Sequence, residues 1–200
     1  MNPIIKKYIE HQQSLSVEKR LKFTPQEIQS AWVAVGTRLN KNYTLDEIAI
    51  RIMQGCFVDL SKGTIFWGTK GLGKTLNMDI FAAINTGLFK IHTECYEAEE
   101  IEYNYKAYGA EYILKLSDLL CLVINDIGRE SGILNDYGTD RNIIADLLAL
   151  RYRKFQTGGF RTFGTTNGKI EDIKKLYVPR IEDRLKEMFN FCEVKGESKR

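Results

Sequence analysis

Phe66-Trp67-Gly68-Thr69-Lys70-Gly71-Leu72-Gly73-Lys74-Thr75 is the stretch that decides the fold, because an apolar strand end runs straight into the spacing Gly, four residues, Gly-Lys-Thr. Thr64-Ile65-Phe66-Trp67 reads as a buried strand, and Leu76, Ile80, Phe81 and Ile84 recur on one side of a helix that continues from Lys74. Strand, glycine-rich turn and helix N-terminus together form a phosphate-binding loop. Gly68, Gly71 and Gly73 let successive backbone N–H groups point inward, and the helix dipole adds its positive end. The candidate cradle comprises Gly68, Thr69, Lys70, Gly71, Leu72, Gly73, Lys74, Thr75 and Leu76. Lys74 is expected to reach the β- and γ-phosphates, and Thr75 to offer a hydroxyl to magnesium, so the ligand expected is a nucleoside triphosphate bound as its Mg²⁺ complex.

Upstream of the loop the chain reads as helical. Ile4, Ile5, Tyr8 and Ile9 suit one helix face. Thr24-Pro25-Gln26-Glu27 supplies a capping box with proline at the first helical position, followed by Ile28, Trp32, Val35 and Leu39 at helical spacing. Thr44 to Glu47 repeats the capping signature before Ile48, Ile52 and Met53, in a helix that Gly55 could end. Downstream, strands are expected at 64–67, 90–96, 120–125, 160–166 and 189–194. Helices are expected at 74–87, 97–108, 110–118, 140–155, 169–176 and 179–188, with Asp140 as a cap. This alternation predicts an α/β fold, a P-loop NTPase with a five-stranded parallel sheet flanked by helices. The expected organisation is a helical N-terminal segment, 1–60, and a nucleotide domain, 61–200. Segment 128–139, with three glycines, reads as a functional loop.

Cys121-Leu122-Val123-Ile124-Asn125-Asp126 has the position and form of a Walker B strand. The usual pair there is an aspartate that holds the magnesium's waters and an acid that polarises the attacking water. Here the first is Asn125, which accepts a hydrogen bond but brings no negative charge, so weaker metal binding and slow hydrolysis are expected. In one register Asp126 is the acid of the hydrolytic step. In the other it takes the magnesium role beside Thr75 and Asn125, and the base falls to a later residue such as Glu130. The first register is preferred because Gly128 follows as a turn. Thr165-Thr166-Asn167 ends another strand, where Asn167 suits a sensor of the γ-phosphate or its water, or an Asx-turn. In Pro179 to Met188, Arg180 and Arg184 lie four apart on one helix face, free to bridge phosphate oxygens or to pair with Glu182, Asp183 and Glu187.

Taken in order, residues 64–194 resemble the AAA+ ATPases of the DnaC/DnaI helicase-loader and IstB transposition-helper group. The likeness rests on the loop, on Leu122-Val123-Ile124-Asn125-Asp126-Ile127-Gly128, on Arg151-Tyr152-Arg153, on Thr165-Thr166-Asn167 and on Arg180-Ile181-x-x-Arg184. It implies an AAA+ core without a helical lid domain, for which the sequence after the last strand leaves no room. It also implies Arg180 as an arginine finger entering a neighbouring subunit, with Arg184 as second candidate. Catalytic roles then fall to Lys74, Asp126, Asn167, Arg180 and Arg184. The partners implied are the chain itself in an ATP-dependent oligomer, a replicative helicase or a transposase, and single-stranded DNA.

Composition narrows the alternatives. Two hundred residues, 44% of them apolar, can bury one substantial core. No apolar run reaches a membrane span and no signal-peptide core opens the chain, so a cytoplasmic protein is expected. Cys56, Cys95, Cys121 and Cys192 have no metal-site spacing with His11 or His92. Net charge is +3, too small to demonstrate nucleic-acid binding, although basic residues gather at 19–22, 151–154 and 199–200. A GTPase would need an Asn-Lys-x-Asp motif, which neither Asn40-Lys41-Asn42 nor Asn167-Gly168-Lys169 completes. A small-molecule kinase clamping phosphates with Arg129, Arg141 and Arg151 is an alternative, and so is an ATP-responsive adaptor with little turnover.

Overall fold

Alternating side chains build a sheet buried on both faces. In Cys121–Asn125, Leu122 and Ile124 enter one apolar cluster while Cys121 and Val123 enter the other, as period-two geometry requires. The computed structural model describes residues 23–57, 59, 61–130, 134–136, 139–171, 177 and 182–198. The helices are α1 (Pro25–Leu39), α2 (Glu47–Phe57), α3 (Lys74–Gly87), α4 (Ala98–Ser117), α5 (Ile143–Thr157) and α6 (Glu182–Met188). The strands are β1 (Gly63–Trp67), β2 (Thr93–Glu97), β3 (Cys121–Asn125), β4 (Leu134–Asp136), β5 (Thr139–Arg141), β6 (Arg161–Thr166) and β7 (Phe189–Glu193). Five strands form a parallel sheet in the order β2-β3-β6-β1-β7, as the alternation predicted.

Helices α1, α2 and α3 cover one face, where Trp32, Ile52, Phe66, Phe81 and Phe163 share a cluster and the rings of Phe81 and Phe163 lie 4.5 Å apart. The other face takes α4, α5 and α6, with Ile101, Ile144, Leu147, Leu185 and Met188. Because β1 and the next strand in sequence, β2, are separated by β6 and β3, a crevice opens at the carboxyl ends of the central strands. Among the described residues no helix is long and apolar enough to cross a membrane.

Several boundaries differ from expectation for local reasons. The Thr24 capping box forms, with Glu27 N–H donating to Thr24 Oγ1 at 3.3 Å and Thr24 N–H to Glu27 Oε2 at 2.7 Å. At α2, however, the cap is Asp46, whose Oδ1 accepts from Ala49 N–H at 2.9 Å. Gly55 does not end α2; a Cβ there would meet Phe66 Cε1 at 2.6 Å, so the glycine lets helix and strand touch. The second strand starts at Thr93 because Lys90 takes a left-handed turn, φ 59°, after α3. The helices expected at 97–108 and 110–118 are both present, as the two halves of α4, and they break where expected, at Gly109, whose φ of 66° and ψ of −157° are non-helical. Asp140 lies in β5, and Asn142 caps α5 by accepting from Ala145 N–H at 2.9 Å. Segment 128–139 is not only loop, since β4 and β5 pair as an antiparallel hairpin. The N-terminal helix over Ile4–Ile9, the clusters at 19–22 and 199–200, most of 169–176 and Arg180 lie outside the described residues.

Candidate nucleotide-binding site

The loop from Gly68 to Gly73 leaves β1 and enters α3 through three glycines with positive φ, 152° at Gly68, 89° at Gly71 and 77° at Gly73. Leu72 is fully buried and pins this loop to the core, while Lys70, Gly71, Gly73, Thr75 and Leu76 face a cleft of about 560 Å³. Lys74, Asp126 and Asn167 also line it, joined by three residues not singled out for this cradle: Asn40, Asp79 and Arg129. Asp79 was legible, being one helical turn beyond Thr75 on the same face of α3.

One hydrogen-bonded chain crosses the cleft. Lys74 Nζ donates to Gly68 O and Thr69 O, both at 2.8 Å, and to Asn167 Oδ1 at 2.9 Å. Asn167 Nδ2 donates to Asp126 Oδ1 at 3.0 Å, and Arg129 Nη1 to Asp126 Oδ2 at 2.9 Å. Three strand ends therefore meet here: β1 brings Lys74 through its loop, β6 brings Asn167 and β3 brings Asp126. Burial lowers the Lys74 ammonium from its usual range, and the Asp126 carboxylate partly offsets this. Asp126 itself is left-handed, φ 51°, in a turn held by its N–H on Thr165 Oγ1 at 3.0 Å and by Ile127 N–H on Thr165 O at 2.8 Å.

The other sequence candidates lie elsewhere. Asn125 is buried, and its Oδ1 accepts from Thr165 Oγ1 at 3.2 Å instead of facing the cleft. Glu130 is buried too; it accepts from Gly128 N–H at 2.8 Å and from the Tyr177 hydroxyl, away from the cleft. Arg184 lies over the Tyr152 ring, 5.3 Å from its centroid. The three-arginine clamp does not assemble. Arg141 pairs with Asp146 at 2.7 Å, and Arg151 is completely buried. Arg151 Nε donates to Thr162 Oγ1 at 2.9 Å, its Nη1 to Ser117 O at 3.2 Å and to Leu119 O, and its Nη2 to Arg161 O. The basic run 151–154 is thus divided: Arg151 is in the core and Lys154 pairs with Asp118, while Arg153 is exposed.

Beside the cleft, burial raises the Asp79 carboxyl above its usual range. Glu97 is raised as well, by burial first and then by the charges of Asp126 and Asp79. Among the described residues no three Asp, Glu, His or Cys side chains converge to hold a metal ion by themselves. That suits magnesium, which arrives with phosphate oxygens and retains its waters. The oxygen donors of Thr75, Asp79 and Asp126 on the cleft fit such an ion.

No protein-family model and no curated protein sequence matches the chain. Solved structures share its fold. The DnaC helicase loader aligns with TM-score 0.62 at 19% identity, over 78% of this chain and 96% of that one. DnaI aligns with TM-score 0.57 at 21% identity, over 89% and 95%. The replication initiator DnaA, bound to AMPPCP and single-stranded DNA, aligns with TM-score 0.55 at 13% identity, over 78% of this chain and 49% of that one. The fold is therefore the P-loop α/β architecture of the helicase loaders, as the ordered motifs implied.

Proposed function

We propose that this chain is an ATP-binding AAA+ protein acting in DNA replication as a helicase-loader-like ATPase, which assembles with itself when ATP is bound. The observation that carries the reading is the chain Lys74–Asn167–Asp126 across a glycine-turned loop, at the crevice where β1, β6 and β3 end. On nucleotide entry Lys74 Nζ exchanges its carbonyl partners for phosphate oxygens, and the loop N–H groups hold the β-phosphate. Magnesium, when bound, would be held by the Thr75 hydroxyl on the cleft and would neutralise charge on the β- and γ-phosphates. Asn167 positions a water against the γ-phosphate, and an Asp126 carboxylate oxygen accepts its proton. The two hydrogen bonds that engage the buried Glu130 support Asp126, not Glu130, in this role.

The same reading takes Arg180 as the finger crossing to a neighbouring subunit and Arg184 as its alternate. It makes the partners a replicative helicase and single-stranded DNA, in the cytoplasm. Sedimentation velocity with and without ATP, repeated with an oligothymidylate, tests it. An ATP-dependent oligomer that retains the oligonucleotide is expected. A protein that binds ATP yet neither assembles nor touches single-stranded DNA or a helicase would end the proposal.

A second reading, an adaptor that binds ATP and scarcely hydrolyses it, draws on Asn125 being turned to Thr165. Phosphate release measured at saturating ATP separates the two.

A further inference from the structure

The face of β2 that carries Thr93, Cys95 and Glu97 looks onto α3, and contacts along it fix the vertical register. Asn85 Nδ2 donates to Thr93 Oγ1 at 2.8 Å near the C-terminal end of α3, and Cys95 Sγ lies 3.8 Å from Met78 O one step higher. The helix runs antiparallel to the strand. The Cys95 thiol also hydrogen-bonds the Asp79 carboxyl, and going back four residues from Asp79 to Thr75 rises about 6 Å along α3. Going forward two residues from Cys95 to Glu97 rises about 6.6 Å along β2. Glu97 therefore stands at the level of Thr75, on the helix side of the sheet.

The parallel register of β2 and β3 places Glu97 directly beside Asn125. Asn125 occupies the strand-end position where an aspartate would hold the magnesium's waters, and it has no charge to offer. The lateral step from one strand to its neighbour is about 4.8 Å. A carboxylate one strand across still reaches a water of a hydrated ion, while it cannot enter a tight ring of direct ligands. This agrees with the lack of any three-carboxylate cluster among the described residues.

We propose that Glu97 supplies, from the end of β2, the hydration-shell carboxylate that Asn125 cannot supply from β3. The charge has been moved sideways by one strand. Glu97 acts through a water, so it is a positioning residue for magnesium, and the reading rests on the nucleotide cleft proposed above.

The test is the affinity of a fluorescent ATP analogue measured in EDTA and in magnesium, with the ratio of the two taken as the magnesium gain. Wild type is expected to bind more tightly with magnesium. E97Q should keep its affinity in EDTA and lose about tenfold of the gain, the size of effect that outer-shell partners have on metal affinity. E97D should keep most of the gain, and N125D placed on E97Q should restore it. An undiminished gain in E97Q overturns the proposal, and so does a gain lost in D79N but not in E97Q. A loss in E97Q that N125D does not restore would mark a merely structural role and overturn it too. Wild type that binds no analogue in either buffer would instead overturn the nucleotide reading itself.

Discussion

Lys74 and Arg151 are both buried cations, 4% and 0% exposed, yet their surroundings give them opposite uses. Burial lowers both, Arg151 to about 10. Lys74 donates to two carbonyls of a glycine loop and to an amide on the wall of a cleft, acceptors that an incoming phosphate can replace. Arg151 donates to carbonyls at the end of α4 and the start of β6, acceptors that nothing outside the fold can reach. A buried cation whose acceptors are replaceable serves a ligand; one whose acceptors are fixed serves the fold.

The same substitution at both sites breaks or sharpens this contrast. Arg151→Met leaves several buried carbonyls without donors, at about 1–3 kcal/mol each. A stability loss of at least about 3 kcal/mol is expected, read as a urea midpoint lower by 1 M or more at ordinary denaturant slopes. A midpoint within 0.2 M of wild type would erase the distinction. Lys74→Met should lower ATP affinity about a hundredfold, roughly 2.7 kcal/mol, with the urea midpoint nearly unchanged. A large drop in that midpoint would make Lys74 another structural pin.

Asn125→Asp sharpens the ligand side. Placing charge at the end of β3 should raise ATP turnover about tenfold in a phosphate-release assay. A rate equal to or below wild type would mean that Asp126 already carries the magnesium role.

The smallest effect is on pH dependence. Glu97 is raised in the folded state, so between its unfolded value and that raised value the native protein binds more protons than the unfolded one. Stability must then fall as pH rises through that window. Glu97→Gln should remove this fall. It should stabilise the protein at pH 7 by well under 1 kcal/mol once solvent screening is allowed for, and not at all below about pH 4. Thermal melts at pH 4 and pH 7 decide it.

The loop, β3 and the strand carrying Asn167 were legible because each is written locally, as a contiguous pattern of glycine, apolar and polar residues. Arg151 was not. In sequence it belongs to the basic run Arg151-Tyr152-Arg153-Lys154, and its burial depends in part on the carbonyls of Ser117 and Leu119, thirty or more residues away. Glu97 was hidden for a similar reason, because its place beside Asn125 depends on which strands become neighbours. Asn142 displaced Asp140 as a cap once the β4–β5 hairpin had consumed the residues before it. Glu130, two residues beyond Gly128, had been a reasonable base in sequence until Tyr177 claimed it.

The packing of α1 on α3 has an optical consequence. Trp32 Nε1 donates to Asn77 Oδ1 at 3.1 Å, and Asn77 Nδ2 donates to Gly73 O at 2.9 Å, so one indole is two hydrogen bonds from the loop backbone. The chain's other tryptophan, Trp67, directly precedes Gly68. With only two indoles, one next to this turn and one two hydrogen bonds away, ultraviolet emission is expected to change on adding ATP if the loop moves, with no added dye.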